Sequence, residues 1–377
     1  MQALFVTTDE QLEELCEAWA NESWFGLDTE FLRTRTYYPR LCLLQIATED
    51  HIALVDPTSG LSMAPLCRLL SAPDITKVIH AARQDLEVLF PICQHVVSPV
   101  FDTQIAAALL GLGDQIGYGA LVEALLDVRL AKGHTRADWC RRPLPEAQQQ
   151  YAIDDVRYLG VLYHELTGLL RNKGRENWCE QECATLSDER LYDQDPELAF
   201  ERTRIGASLP VTVQPTLKEL AIWRERAAQC RDLPRNWIAS DRLLAEIASN
   251  HPQDMAALRA VDGVTEIFVR HNGKEILSLL RMEREPTNGE VVWRARPPLS
   301  SQQQHSCNKL MGIVRQVADD SGIAAPLLAT RREVEALVRG DTDLQLLSGW
   351  RNQVVGERLK TYLDSQSDGL STKTVSS

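Results

Sequence analysis

Short β-prone runs bounded by turn signals crowd the front of this 377-residue chain and almost vanish beyond residue 215. Residues 24–31, 41–47 and 51–56 are such runs, set apart by Pro39, by Glu49 and Asp50, and by Pro57. Three strands so close in sequence are expected to pair as an antiparallel meander. A helical stretch around Leu66 to Leu70 precedes a further run at 76–80, after which Leu86, Leu89 and Phe90 fall at helical spacing. Phe101-Asp102-Thr103 reads as the opening of a helix through Leu110. From Pro145 to Leu170, Tyr151, Val156, Leu159, Leu162, Tyr163 and Leu166 keep helical spacing. The front of the chain is therefore expected to be α/β, a mixed sheet with helices packed on it.

The back of the chain has another character. Gly206, Ser208, Pro210 and Pro215 place a boundary between 202 and 215. Beyond it an offset of 90 residues relates Leu220, Trp223, Ala228, Ile238, Leu244 and Ile247 to Leu310, Ile313, Ala318, Leu328, Val334 and Leu337. Two similar all-α modules are expected, with residues 285–289, Arg296-Pro297-Pro298 and Gln302-Gln303-Gln304 as the linker and 365–377 without structure. The resulting division is 1–200, 210–290, 300–368 and a tail at 369–377.

Composition narrows the class. Hydrophobic residues make up 44% and charged residues 25%, and no run approaches the ~18 apolar residues of a membrane span. Met1 to Glu10 carry neither a basic flank nor an apolar stretch of export-signal length. The nine cysteines are scattered without a C-x-x-C pair, which disfavours a disulfide framework and a conventional zinc site and points to the cytoplasm. Cys179 and Cys183 lie one helical turn apart with no further ligand nearby. A net charge of -13 argues against a protein that coats nucleic acid through a basic surface. The charge is uneven: residues 1–200 hold 16 basic and 31 acidic side chains, the remainder 24 and 22. An acid-rich front is either a soluble surface or a place where cations sit.

Asp28 and Glu30, two apart on a strand, project from one face. Tyr151 and Asp155, four apart on a helix, bring a phenol and a carboxylate together. Asp85 opens the helix after the 76–80 strand, where sheet-based sites gather side chains. Converging carboxylates repel unless a cation joins them, and Mg²⁺ or Mn²⁺ prefers such oxygens. Each piece alone has a plainer reading: a solvated strand face for Asp28 and Glu30, helix caps for Asp85 and Asp102. Nucleotide-binding loops are excluded. Gly273-Lys274 has Phe268 where a phosphate loop needs its first glycine and Glu275 where it needs Ser or Thr, and Gly111-x-Gly113 is followed by Ile116 in place of a third glycine.

In order along the chain, Leu27-Asp28-Thr29-Glu30-Phe31, His80-Ala81-Ala82-Arg83-Gln84-Asp85-Leu86 and Tyr151-Ala152-Ile153-Asp154-Asp155 resemble the three exonuclease motifs of the DEDD superfamily, in its tyrosine-containing branch. The segments 33–39 and 136–144 sharpen this to a resemblance to bacterial ribonuclease D. The two helical repeats resemble tandem HRDC (helicase-and-RNase-D C-terminal) modules, with Trp223-Arg224, Gly263 and Gly273 in the first and Gly349-Trp350-Arg351 in the second. The likeness covers nearly the whole chain except the tail.

The resemblance implies a ribonuclease H-like (DnaQ-like) fold followed by two HRDC modules, and a 3′–5′ exoribonuclease with two divalent cations. Asp28, Glu30 and Asp155 would hold the first ion, with Asp28 bridging to a second held through water by Asp85, and Tyr151 would orient the attacking water. Thr29, Phe31, His80, Lys132, Arg136 and Trp139 are the expected substrate contacts, and Trp139 and Arg142 would brace the site wall. The expected substrate is RNA with a free 3′ end, namely tRNA precursors and other small structured RNAs, docked by Arg224, Arg226, Arg231, Arg242, Arg332 and Arg351. The expected products are nucleoside 5′-monophosphates, and the expected state is a monomer with neither membrane nor nucleotide cofactor. A DNA 3′–5′ exonuclease and an RNA-binding protein with an inactive nuclease fold stand as alternatives.

Overall fold

The computed structural model describes residues 3–131, 133, 137–203, 205, 209–282 and 297–371, the last five as backbone. The chain packs as two compact units. The first takes everything up to Phe31, then Leu41–Glu189 and the chain from Pro298 onward; the second takes Leu32–Arg40 and Arg190–Pro297.

The first unit opens with β1 (Ala3–Val6), α1 (Asp9–Trp19), β2 (Trp24–Leu32), β3 (Arg40–Ala47) and β4 (Ile52–Val55). It continues through α2 (Ala64–Leu70), β5 (Thr76–Ile79), α3 (Arg83–Cys93), β6 (Val100–Asp102) and α4 (Thr103–Leu110). Then come α5 (Tyr118–Leu126), α6 (Glu146–Arg157), α7 (Leu159–Asn172) and α8 (Glu176–Thr185). The six strands form one mixed sheet in the order β1-β4-β3-β2-β5-β6. β3 pairs antiparallel with β4, whereas β1 with β4, β2 with β5 and β5 with β6 run parallel. β3 is buried from Leu41 to Ala47 and β4 throughout, so neither keeps a solvent face, as central strands of a helix-covered sheet require.

Three local expectations change. β1 is a further strand, which pairs parallel with β4 at the edge of the sheet. Phe101 and Asp102 close β6, and α4 begins at Thr103 with Asp102 as its N-cap. The long helical stretch after Pro145 is two helices, broken where the Tyr158 amide turns to the Tyr118 hydroxyl at 3.2 Å.

The second unit contains α9 (Gln214–Arg231), α10 (Arg235–Ile238), α11 (Asp241–Asn250), α12 (Met255–Arg259) and α13 (Glu266–Arg281). Leu217, Leu220, Leu244, Ile247, Phe268 and Ile276 form its core. The turn at 32–40 belongs to it: Asp232 Oδ1 accepts from the Tyr37 and Tyr38 amides at 3.0 and 3.1 Å, and the Tyr37 hydroxyl donates to buried Glu225.

The remaining helices are α14 (Ser301–Ser321), α15 (Ala325–Leu328), α16 (Arg331–Val338), α17 (Gly349–Arg351) and, after a π-helical turn, α18 (Glu357–Ser371). They lie in the first unit rather than forming a separate one. Leu310, Val314, Val317 and Trp350 share a core with Leu109, Leu162 and Leu166. Buried Glu182 accepts from both terminal nitrogens of Arg351 and from Trp350 Nε1 at 2.8 Å. Gln302, Gln303 and Gln304 are not linker but the first turn of α14, since Ser300 and Gln303 form a reciprocal capping box. Helix also continues past 365, to Ser371. Residues 285–289 and 296 of the expected linker and 372–377 of the expected tail lie outside the described residues.

The expectation of no disulfides is also corrected: Cys42 is bonded to Cys140 and Cys67 to Cys93. Separations of 98 and 26 residues carry no local cysteine pattern, and only the fold brings the Cα atoms to 4.9 and 5.2 Å.

β2 lies close against the start of α7 because Gly26 has no side chain. A Cβ there would stand 2.9 Å from Leu159 Cβ and 3.6 Å from the Ala47 carbonyl oxygen. Gly26→Ala is therefore expected to cost about 1–3 kcal/mol by overpacking, read as a lower urea midpoint at unchanged m-value. A midpoint equal to wild type would show that β2 can shift freely.

Candidate active site

Side chains alternate along β2, so Asp28 and Glu30 share one face while Thr29 points to the other and is buried. The helical rise between Tyr151 and Asp155 sets both on one side of α6. Together these elements bring one carboxylate oxygen each from Asp28, Glu30 and Asp155 within 4.8 Å of one another. The Tyr151 hydroxyl donates to Asp155. Asp85, in the first turn of α3, is 6% exposed and accepts from Thr29 Oγ1 at 2.5 Å. Asp85 is not one of that trio, but its charge acts on Asp28 and Glu30, so α3 borders the volume where β2 and α6 meet.

The electrostatics of that volume are strained. Burial first, and then the charges of Asp85, Asp155 and Glu30, push the Asp28 carboxyl well above the ordinary range. Burial, reinforced by Asp155 and Asp85, raises Glu30 to about 8. Burial raises Asp85 to about 7 against the pull of the Thr29 hydroxyl, and Asp155 to about 7 with help from Asp154 and against Tyr151. Burial and the surrounding carboxylates raise Tyr151, so its phenol stays protonated at neutral pH. A set of hard oxygen donors that resists holding its own negative charge fits a hard divalent cation.

One wall is built by the 138–143 turn. Trp139, only 2% exposed, packs on Tyr151 with ring centroids 6.0 Å apart. Arg142 pairs with Asp56 through two nitrogens at 2.5 and 2.6 Å, and also donates to the Trp139 and Cys42 carbonyls. Burial alone would raise the Asp56 carboxyl, yet Arg142 and Thr58 hold it below the usual range. The Cys42–Cys140 bond ties the same turn to β3.

The comparisons with known proteins point the same way as this geometry. Residues 4–171 match the 3′–5′ exonuclease family and residues 214–280 the HRDC domain. The crystal structure of Escherichia coli RNase D, an exoribonuclease involved in structured RNA processing, has a TM-score of 0.85 at 32% identity, covering 97% of this chain and 99% of that one. A ribonuclease D of Gluconacetobacter diazotrophicus is 35% identical over 96% of this chain and 93% of its own length. One from Sphingobium indicum is 39% identical over 357 residues, 93% of this chain and 92% of its own. The chain belongs to the ribonuclease D family. It is a 3′–5′ exoribonuclease, and its exonuclease fold is of the divalent-metal-dependent kind.

Within this ribonuclease D scaffold the expected substrate contacts separate. Phe31 is half-buried at the end of β2. His80 is half-buried as well; its Nδ1 meets Thr103 Oγ1 at 2.9 Å, and burial favours the neutral ring. Thr29 is spent on Asp85, and Trp139 stands behind Tyr151 with almost no open surface. Lys132 and Arg136 lie outside the described residues. Two of the arginines expected to dock RNA are structural: Arg224 is buried against Asp241 and the Ala239 carbonyl, and Arg351 grips Glu182.

Tyr118 was not foreseen. Its hydroxyl donates to the Asp154 carbonyl and accepts from the Tyr158 amide, and burial, with smaller contributions from Asp155 and Asp28, raises its pKa. No spacing in the sequence marks it.

Because these acids bind protons more tightly folded than unfolded, their stabilising effect is complete below about pH 4 and is lost as pH climbs through 7 to 8. In metal-free protein, Asp28→Asn should therefore raise Tm relative to wild type, by more at pH 8 than at pH 5. A gap that stays constant with pH would show that Asp28 does not take part in the repulsion.

Proposed function

We propose that this exoribonuclease trims 3′ extensions of tRNA precursors and other small structured RNAs, releasing nucleoside 5′-monophosphates with the aid of two divalent cations, Mg²⁺ or Mn²⁺. The carrying observation is the convergence of Asp28, Glu30 and Asp155 beside the Tyr151 hydroxyl. Processing of structured RNA is what the E. coli relative is described as doing.

Asp28, Glu30 and Asp155 would hold one cation, and Asp85, oriented by Thr29, would help hold the second. Such cations, when bound, ease ionisation of the attacking water and offset charge on the leaving oxygen. The protein's own groups do the rest. Tyr151, kept protonated and backed by Trp139, orients the water through its hydroxyl. The water attacks the phosphorus of the last phosphodiester and gives up a proton, the bond to the penultimate 3′ oxygen breaks and that oxygen takes up a proton, and the freed nucleotide leaves with its 5′-phosphate.

The second helical module supports an assignment as a further HRDC domain. The order of long helix, four-residue helix and amphipathic helix in α9, α10 and α11 recurs in α14, α15 and α16. The repeat pairs Leu220 with Leu310, Ala228 with Ala318, Ile238 with Leu328 and Leu244 with Val334 are all buried. Arg226 and Arg242 keep only exposed ion pairs, with Glu197 and Asp262, and Arg332 is exposed, so these three remain able to meet RNA phosphates.

A 3′-extended tRNA precursor labelled at its 5′ end should shorten as a ladder, stop with EDTA and resume on adding Mn²⁺. Internal cuts, or undiminished activity in EDTA, would contradict the reading. Tyr151→Phe should lower kcat about 100-fold while Mn²⁺ affinity and Tm stay at wild type. A lost Mn²⁺ affinity would move Tyr151 from water orientation to ligand support.

A further inference from the structure

Five described non-glycine residues have positive φ, and four of them close helices: Gln94, Asp127, Asp232 and His251. The fifth, Ala81 at φ 57°, sits instead in the turn between β5 and α3. An L-residue avoids this conformation because Cβ crowds the following carbonyl, and it persists only where surrounding groups over-determine it.

Asp102 is the group that does so. It is 4% exposed and lies opposite Ile79 in the β5–β6 register. Its Oδ1 accepts from the Ala81 amide at 3.0 Å and its Oδ2 from the Ala82 amide at 2.8 Å. The same Oδ1 caps α4, accepting from Gln104 and Ile105 at 2.8 and 3.4 Å. Its neighbour Thr103 holds His80. Ala82 is the N-cap of α3 and has no capping side chain, and the Asp102 carboxylate takes the Ala82 amide from β6, the donor that an N3 side chain takes in a capping box. Asp85 follows in the first turn of that helix, under Thr29.

We propose that Asp102 is a positioning residue for the exonuclease reaction: its carboxylate fixes the left-handed turn at Ala81 and so sets the direction from which α3 delivers Asp85 to the cation site. The inference rests on the reading of Asp85 as a ligand. Its role is distinct from capping α4, which a single oxygen could perform. Asparagine in place of Asp102 keeps one oxygen for Ala81 and the α4 amides but turns an amide NH₂ toward the Ala82 N–H.

The test uses full-length Asp102→Asn, Ala81→Gly, the double variant and Asp85→Asn. For Asp102→Asn, Mn²⁺ affinity of the metal-free protein by titration calorimetry should fall about 10- to 100-fold, with kcat falling alongside and KM for a short RNA unchanged. Ala81→Gly removes the backbone strain, so in the Asp102→Asn background it should recover much of the lost Mn²⁺ affinity. The proposal is overturned if Asp102→Asn lowers Tm alone, with wild-type Mn²⁺ affinity and kcat. Should Asp102→Asn not fold, Asp102→Glu, which keeps the charge but displaces the oxygens by one methylene, is judged by the same split. Wild-type Mn²⁺ binding and turnover by Asp85→Asn would instead sink the reading of Asp85, and the positioning role with it.

Discussion

Mutual repulsion among Asp28, Glu30, Asp85 and Asp155 is the term that the surrounding structure has to oppose. Burial multiplies it, since charges drawn out of water interact through a lower effective dielectric. Burial raises all four carboxyls, and the charges of the other site acids add to the rise at Asp28 and Glu30. A free chain would relax by letting β2, α3 and α6 drift apart. The first unit prevents it by anchoring each element away from the acids: β2 by the close approach at Gly26 and Leu159, α3 through the Asp102 carboxylate, and α6 through Trp139 behind Tyr151.

Arg142 shows how a single cation serves this frame without entering the site. Its guanidinium ties Asp56 at the end of β4 to the turn carrying Trp139, and reaches the Cys42 carbonyl of β3. An ion pair this withdrawn from solvent gains little net stability from its Coulomb term, and its geometric value is greater than its energetic one. It sets where the indole lies, and the indole limits where the Tyr151 ring can go. Without that support, Tyr151 could turn away from Asp155 while every carboxylate stayed in place.

What could be read in advance follows the range of each interaction. Asp28 and Glu30 on one strand face, and Tyr151 and Asp155 on one helix face, are consequences of periods two and 3.6, so spacing alone reveals them. The 90-residue repeat was equally visible because burial at Leu220, Leu244 and their partners is a local amphipathic pattern. Interactions joining distant segments left no such mark. Asp102 reads as a helix cap, which it is, while its bonds to Ala81 and Ala82 depend on β5 and β6 lying side by side. The disulfides, Tyr118 beneath the site and the Arg142–Asp56 pair are invisible for the same reason. Arg224 and Arg351 misled in the opposite direction: an arginine bound to a buried carboxylate has the same letter as one waiting for phosphate.

The placement of α14–α18 bears on how the domains can be studied. If the chain were three beads, removing everything after residue 210 would leave a working exonuclease and isolate the contribution of the helical modules to RNA affinity. Instead, Leu310, Val314, Val317 and Trp350 pack with Leu109, Leu162 and Leu166, and Arg351 satisfies the buried Glu182 carboxylate. Cutting there would expose an apolar face and leave Glu182 buried without its cation, a defect of several kcal/mol by the usual cost of an uncompensated buried charge. Arg175, whose guanidinium donates to the Leu109 carbonyl and, at 2.5 Å, to the Ser321 carbonyl, would lose a partner as well. Loss of activity after such a truncation would report unfolding of the first unit, not loss of RNA docking. Surface substitutions at Arg226, Arg242 and Arg332 separate the two, because their exposed pairs can be removed without disturbing either core.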